Sequence, residues 1–198
     1  MQKDDYEKFL EAHRITNDDN AKDEDKKRAY RIWLELAEKE YVRSTFYLGV
    51  CYDNGIGIRK NLKKAFANFL WAAGAGHVEA QYNVYQILER GYGVEKNGKE
   101  ALKWLKKAAI QGKDIGAIRD LGFHFHEGRY VRKNFKKSVE FYRIAAKKND
   151  HIAQWNLGLS YESGDGVKAS QRWSLYWIEK AAKQGHEAAA SYLKNNST

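Results

Sequence analysis

Glycines at regular intervals constrain this chain more than any other feature of its sequence. Gly55, Gly91, Gly128 and Gly164 follow one another at steps of 36, 37 and 36 residues. A related pair of residues stands just before each of them: Leu48-Gly49, Val84-Tyr85, Leu121-Gly122 and Leu157-Gly158. Self-similarity at this period is typical of solenoids built from two-helix repeats. The sequence therefore predicts a stack of helical hairpins and no single globular core.

Each repeat also carries start and stop signals for its second helix. Residues that can accept a hydrogen bond from the first free amides precede the apolar runs: Asn61, Asn97, Asn134 and Ser170. Residues that tolerate a positive φ follow about fifteen positions later: Gly76, Gly112, Asn149 and Gly185. The one extra residue of the longer step is expected in the connector around Lys113 to Gly116, where it leaves the helices in register.

The shared pattern A-x-Y-x-L-G-x-x-Y-x-x-G-x-G-V…K-A…A-A-x-x-G resembles the Sel-1-like repeat, a relative of the tetratricopeptide repeat, over roughly residues 44–193. Four positions depart from it: Tyr85, Tyr130, Ser138 and Ser174. The resemblance implies an all-α fold, a right-handed α-solenoid of stacked helix-turn-helix repeats with about 11 helices. It also implies a protein-binding scaffold or adaptor, because the family has no general catalytic motif.

We predict one domain over residues 1–198. Residues 1–43 would form a degenerate N-terminal capping repeat whose second helix starts at Asp25, residues 44–188 four repeats, and residues 189–198 a C-terminal capping helix. Terminal repeats of this kind are needed because a bare solenoid end exposes a face meant for a neighbour.

Composition narrows the partners and the compartment. The formal charge of +9 and a pI near 9.4 permit nucleic acid, an anionic membrane or an acidic protein as partner. Cys51 is the only cysteine, so no internal disulfide can form. The sequence shows neither a signal peptide nor a membrane-spanning run of about 20 apolar residues. We therefore expect a cytoplasmic protein without a membrane partner.

The resemblance places the first helix of each repeat on a concave face, where a protein partner would bind. The open positions of these helices are Val50, Asp53, Tyr82, Gln86, Glu89, Arg90, Arg119, Phe123, His126, Glu127, Trp155, Leu159 and Glu162. Phe46, Tyr82 and Trp155 share one repeat position, and they serve either packing between repeats or partner contact. The tryptophans of the second helices are expected in the core or in packing on the convex side.

Lysines fall mainly on the second helices and their ends, away from this groove. A groove for nucleic acid would need cations among its aromatic residues, because phosphate neutralisation dominates affinity. The groove lacks those cations, which disfavours nucleic acid. Lysines on solvated outer faces explain the net charge, and the alternative is nucleic-acid binding through the lysine-rich convex face.

No constellation for catalysis or cofactor binding emerges. The segment Gly93–Glu100 is one residue short of a P-loop and follows no strand. His124 and His126 are two apart on a helix and so point to different sides. We predict no enzyme activity, no cofactor and no metal. We predict that the partner is another protein. The chain would act as an adaptor or, like the small immunity proteins in the family that it resembles, would bind a bacterial toxin or effector.

Overall fold

The computed structural model describes residues 2–111 and 113–196, and within those ranges it contains eleven α-helices and no strand. Their bounds are α1 Lys3–Thr16, α2 Asp23–Glu38, α3 Val42–Asn54, α4 Leu62–Gly74, α5 Val78–Arg90, α6 Gly98–Lys106, α7 Ile115–Glu127, α8 Phe135–Lys147, α9 His151–Ser163, α10 Gln171–Lys183 and α11 Glu187–Asn195. The predicted all-α class and helix number are thus confirmed.

The helices form two compact units, unit 1 over Met1–Trp104 and unit 2 over Leu105–Thr198. In unit 1 each helix from α1 to α5 packs on the next one along the chain. In unit 2 the same holds from α7 to α11. Neighbour-to-neighbour packing of hairpins is what a solenoid repeat requires, because no single repeat buries its apolar face alone. The prediction of one domain stays a prediction.

The predicted caps of the second helices are present at all four positions. Asn61 and Asn134 accept hydrogen bonds from the backbone N–H groups of Lys64 and Lys137, each at 3.0 Å. Asn97 accepts one from Glu100 at 3.1 Å. Ser170 accepts one from Trp173 at 3.4 Å. Each of these helices therefore begins where the sequence indicated.

The four spaced glycines end the first helices in the left-handed region. Gly55, Gly91, Gly128 and Gly164 have φ of 75°, 73°, 73° and 81°. A side chain at these positions would be strained, which explains why glycine recurs there. Tyr130 also has a positive φ, 60°, although it is not a glycine.

The extra residue of the longer step lies in the end of a helix, not in the connector predicted for it. After Lys106 the helix continues as a π-helix over Lys107–Gln111. Lys113, with φ 57°, stands directly before the cap Asp114, as Gly76 and Asn149 stand before their caps. The assignment of Gly112 to this repeat position was therefore wrong, and Gly112 itself lies outside the described residues. The π-helical turn is wider than an α-helical turn and accommodates the extra residue.

Glycines within the first helices let the second helix of the same repeat pack close to them. A Cβ at Gly49 would lie 2.8 Å from the ring of Phe69, and one at Gly158 would lie 2.6 Å from Ile178 Cγ1. The neighbouring leucines, Leu48 and Leu157, are buried. This close approach is the physical reason for the recurring Leu-Gly pair.

The first and last elements of the described residues are helices, α1 and α11. α2 begins at Asp23 after the N-cap Lys22, so Asp25 lies inside the first turn and is not the cap that we predicted. At the other end α11 brings Ala189 into a buried cluster with Ile178 and Ala181. α11 thus covers the last hairpin of unit 2.

Candidate partner-binding clefts

Eight of the predicted open positions line two separate clefts, one in each unit. In unit 1 the cleft brings together Asp53, Gln86 and Arg90. In unit 2 it brings together Phe123, His126, Glu127, Leu159 and Glu162. Both clefts lie at the C-terminal ends of first helices, α3 and α5 in unit 1 and α7 and α9 in unit 2.

The cleft of unit 2 has a volume of about 330 Å³. Phe123 is 42% exposed, and Leu159 lies half-buried across from it on α9. Tyr142 is buried in the lining, where burial raises its pKa to about 12 and keeps the phenol neutral. The cleft therefore offers an apolar surface that water reaches.

The charged groups around this cleft are carboxylates. Glu127, Glu162 and Asp165 line it, while its described lining contains neither lysine nor arginine. His126 Nδ1 lies 2.8 Å from Glu127 Oε1, and the Tyr192 hydroxyl donates to Glu162. The C-terminal ends of α7 and α9 add negative partial charge. The carboxylates and the helix ends therefore both favour the binding of a cation in this cleft.

The cleft of unit 1 is smaller, about 180 Å³, and balances its own charge. Asp53 and Arg90 line it with the neutral Gln86 and Asn83 and the ring of Tyr92. Arg90 precedes the C-cap glycine of α5, and in unit 2 the matching residue of α9 is Ser163, which lines the cleft there. A cation of the chain itself therefore stands where the cleft of unit 2 has a neutral serine.

Arg119 and Trp155 belong to joints between repeats. Phe46 stacks on His77 at 4.4 Å, and Trp155 stacks on His186 at 5.4 Å. At the equivalent place in the third repeat, Arg119 Nη1 lies 3.1 Å from Asp150 Oδ2. Each of these side chains contacts the residue that caps the next first helix. Packing between repeats, the alternative that the sequence had left open for Trp155, therefore accounts for its contact. Arg119 was predicted only as an open position, and its ion pair with Asp150 places it in a joint as well.

Three further predicted positions lie outside the two clefts. Tyr82 stacks on Tyr85 with ring centroids 5.7 Å apart. Val50 is half-buried. Glu89 is only 9% exposed, so the expectation that it is open was wrong. Glu89 faces inward because it lies on the same buried side of α5 as Tyr85 and Leu88.

Sequence reasoning missed several cleft residues and a second set of helix caps. Asp165 and Asn156 line the cleft of unit 2, yet the repeat pattern gives no signal for them. Asp114 and Asp150 cap α7 and α9 by accepting from Ala117 and Ala153 N–H, each at 2.7 Å. The connector Asp before each helix was the available signal for these caps.

Histidines cap two other first helices. Ala80 N–H donates to His77 Nδ1 at 3.3 Å, and Ala189 N–H donates to His186 Nδ1 at 3.2 Å. Burial lowers the pKa of both histidines, and the nearby His151 lowers that of His186 further. The caps need the neutral ring, because only a deprotonated Nδ1 can accept a hydrogen bond.

The described residues hold no group of three or more metal-ligating side chains. His124 is buried with Nδ1 2.9 Å from the carbonyl oxygen of Arg129, while His126 faces the cleft. Burial raises the pKa of the Cys51 thiol to about 12, so it is an unreactive packed group. The segment after Gly93 is a turn followed by the cap of α6.

The second helices expose aromatic residues as well as lysines. Trp33, Trp104 and Trp177 are buried, but Trp71 and Trp173 are 43% and 46% exposed. Solvent reaches nearly half of each of these two side chains, which excludes the core and leaves the other place expected for them, packing on the outer side, where Trp173 stacks on Tyr161. Among the helices in the described parts of the chain, none combines the length and the apolar character that crossing a membrane requires.

Comparisons with known proteins agree with this architecture. The profile of the Sel1 repeat matches residues 42–77, 78–113, 115–150 and 151–186. Chitin synthase regulatory factor 2 of Schizosaccharomyces pombe is 30% identical over 155 residues, which are 73% of this chain and 30% of that protein. The chain spans less than a third of the length of the first curated relatives that it matches.

Solved structures show the same fold. A Sel1 repeat protein from Oxalobacter formigenes is 31% identical with a TM-score of 0.79, over 93% of this chain and 71% of that one. The immunity protein PA5088 from Pseudomonas aeruginosa is 19% identical with a TM-score of 0.61, over 98% of this chain and 70% of that one. The second likeness bears on the fold alone. The predicted α-solenoid of Sel-1-like repeats is confirmed.

Proposed function

Because this chain belongs to the Sel1 repeat family, whose members serve as interaction scaffolds and regulators, we propose that it is a non-enzymatic scaffold that holds another protein. The proposed contact is the cleft of unit 2. A segment of the partner would place an arginine or lysine beside an apolar side chain in that cleft.

One observation carries this proposal: the cleft combines an exposed ring with several carboxylates, and no lysine or arginine stands among its described lining residues. Phe123 supplies an aromatic face at the mouth, and Glu127 and Glu162 flank it. A cationic side chain is attracted both by such a ring and by the carboxylates. An apolar neighbour in the segment would cover Phe123 and Leu159, which water reaches in the free protein.

A short peptide tests the chemistry of the cleft directly. The probe is acetyl-Leu-Arg-Leu-amide, and its control replaces arginine by citrulline, which has the same shape without the charge. The arginine peptide should shift the backbone amide signals of Phe123 and Leu159 in an NMR titration. The citrulline peptide should shift them several-fold less, since the carboxylates then have no cation to attract. Equal shifts with both peptides would contradict the charge argument.

A matched pair of variants tests the role of Phe123. Phe123→Ala removes the exposed ring from the cleft, and Ile144→Ala removes a side chain of similar exposure from the outer side of α8. The first should abolish the shifts caused by the arginine peptide, and the second should leave them unchanged. Similar losses in both variants would mean that the peptide binds elsewhere.

A specific form of the proposal is an immunity protein that binds a bacterial toxin in the cytoplasm, and the adaptor or regulator role is the alternative. The fold shared with PA5088 is compatible with the immunity form. Chitin synthase regulatory factor 2 supports a regulatory role, but only through the 30% of that protein to which this chain aligns. Co-expression with the product of the adjacent gene separates the two forms. Restored growth of a poisoned host, lost in Phe123→Ala, would support the immunity form, and a harmless neighbour would contradict it.

A further inference from the structure

The outer side of α10 exposes rings at a place where the first and third repeats expose lysine. Trp173 occupies the repeat position of Lys64 and Lys137, which the second repeat fills with Glu100. Lys64 Nζ lies 5.3 Å above the ring of Tyr52, and Lys137 Nζ lies 5.4 Å above the ring of Phe125. In the last repeat Trp173 itself stacks on the equivalent ring, Tyr161, at 6.3 Å. An aromatic ring has thus replaced a cation on the surface.

Trp173 is part of a continuous array of rings with a cation at each end. At one end Arg143 Nη2 lies 3.5 Å from the Tyr161 hydroxyl. Trp173 and Tyr176 meet edge to face at 5.4 Å. At the other end Lys180 Nζ lies 4.9 Å from the centre of the Tyr176 ring. We call these five side chains and the adjacent Arg172 the outer array.

The surroundings of the outer array are strongly basic. The helices α8 and α10 carry Lys136, Lys137, Arg143, Lys147, Arg172, Lys180 and Lys183 against only Glu140 and Glu179. The first helices of the same unit show the opposite balance, with Asp120, Glu127 and Glu162 against Arg119. The outer array therefore attracts an anionic partner.

We propose that the outer array binds single-stranded nucleic acid, with bases stacked on Trp173 and Tyr176 and phosphates next to the flanking cations. Proteins that hold single strands without sequence preference combine these two elements. An acidic protein would be drawn by the charge equally well. For such a partner, however, the lysine of the first and third repeats would serve better than Trp173, and this presence of a ring instead of a cation favours stacking.

This inference does not rest on the proposed function, because the outer array shares no residue with the cleft of unit 2. It revises the expectation that nucleic acid is disfavoured, which considered only the groove and the lysines. The exposed rings had been expected to pack. Their exposure, 46% for Trp173 and 41% for Tyr176, supplies the stacking surface that lysines alone lack.

Exchanging Trp173 for the lysine of the first and third repeats separates stacking from charge. Binding of a fluorescein-labelled uridine 12-mer is measured by anisotropy between about 50 and 200 mM KCl, where phosphate contacts lose affinity with salt. Trp173→Lys adds a positive charge and removes a ring. Stacking predicts at least about fivefold weaker binding, whereas charge alone predicts tighter binding. Ile144→Lys adds the same charge on α8 without removing a ring, and it should bind as tightly as the original protein or more tightly.

A variant that keeps the ring, a check of folding and a change at a second ring complete the test of stacking. Trp173→Phe keeps a ring and should bind within about twofold of the original protein. Circular dichroism checks that Trp173→Lys is folded, and Tyr176→Lys provides the same comparison at a second ring if it is not. Unchanged or tighter binding by Trp173→Lys overturns the proposal. So does binding to vesicles that contain phosphatidylserine, or to an oligo-glutamate peptide, without binding to the uridine 12-mer.

Discussion

The clefts of unit 1 and unit 2 occupy the same place in the repeat but differ in charge. In unit 1, Arg90 and Asp53 share the cleft and offset one another. In unit 2, Ser163 stands at the position of Arg90, and Glu127, Glu162 and Asp165 line the cleft without a lysine or arginine among the described lining residues. The repeat thus fixes where a cleft forms, and single exchanges on its rim decide what the cleft can hold.

A second contrast concerns how the units hold their own repeats together. Within unit 1 the joint at Phe46 is a stack of two rings, Phe46 on His77. Within unit 2 the equivalent joints are an ion pair between Arg119 and Asp150 and a stack of Trp155 on His186. Different chemistry therefore serves one geometric task, because the repeat demands only that the side chain reach the next cap.

The largest effect is expected where a turn glycine touches the second helix of the preceding repeat, α8. A Cβ at Gly166 would lie 2.3 Å from the carbonyl oxygen of Phe135, and φ there is 74°. Gly166→Ala should therefore lower the free energy of unfolding by about 3 kcal/mol. Gly185→Ala is the control, because φ is 85° but nothing lies within 4 Å, and strain alone should cost about 1 kcal/mol. Urea denaturation measures both, and equal losses would contradict the argument from contact.

An exchange of the rim residues sharpens the comparison of the clefts. Glu127→Arg places a cation on the rim of the unit 2 cleft and should weaken binding of the arginine peptide at least tenfold, about 1.4 kcal/mol. Arg90→Glu replaces the cation on the rim of the unit 1 cleft by a carboxylate and should bring new shifts of the Gln86 and Asp53 signals with the same peptide. NMR titration reads both clefts at once. If Glu127→Arg still binds the peptide, the carboxylate at the rim is not the determinant.

The ion pair at the joint of unit 2 should contribute measurably, since both partners are largely buried. The side chains of Arg119 and Asp150 are 20% and 12% exposed. Asp150→Asn keeps an oxygen that can cap α9 but removes the charge, so the free energy of unfolding should fall by about 1 kcal/mol. The exposed pair Lys103 and Glu100 is the control, and Glu100→Gln should cost only a few tenths of a kcal/mol. A double-mutant cycle with Arg119→Met isolates the pair, and zero coupling would rule it out as a stabilising contact.

The smallest expected effect is a dependence of stability on pH from the histidine caps. The ordinary pKa of His186 is 6.5, and burial lowers it in the folded protein. The unfolded chain therefore binds the proton first as the pH falls. The stabilisation is complete above pH 6.5 and is lost as the pH falls through the lower folded value, by at most about 1 kcal/mol, the usual worth of a cap.

His186→Asp tests this dependence, because Asp114 and Asp150 cap the equivalent helices of unit 2. The melting temperature at pH 7.5 and at pH 5.5 should differ less in the variant than in the original protein. His77→Asp provides the same comparison in unit 1, where Phe46 packs on the ring and the loss of that stack also lowers stability at pH 7.5. An unchanged difference between the two pH values in both variants would assign the pH dependence to other groups.

The sequence by itself determined the repeat, the helices and their boundaries. Turn glycines and N-caps are local devices, since a left-handed φ or a capping hydrogen bond involves residues only a few positions apart. The start of α8 after Asn134 and the end of α9 at Gly164 could therefore be predicted. The extra residue of the longer repeat shows the limit of these local signals. A π-helix and a longer connector give the same spacing in sequence, so the spacing could not tell which of them holds the residue.

Only the tertiary structure decided which open positions of the first helices meet in a cleft. Arg119 and Phe123 both looked open in the repeat pattern, but the next repeat supplies Asp150 to bind the arginine and leaves the ring exposed. Burial of Glu89 and exposure of Trp173 likewise depend on which helix packs over each side chain. These outcomes depend on contacts between residues about 30 positions apart, which helical periodicity within one repeat does not encode.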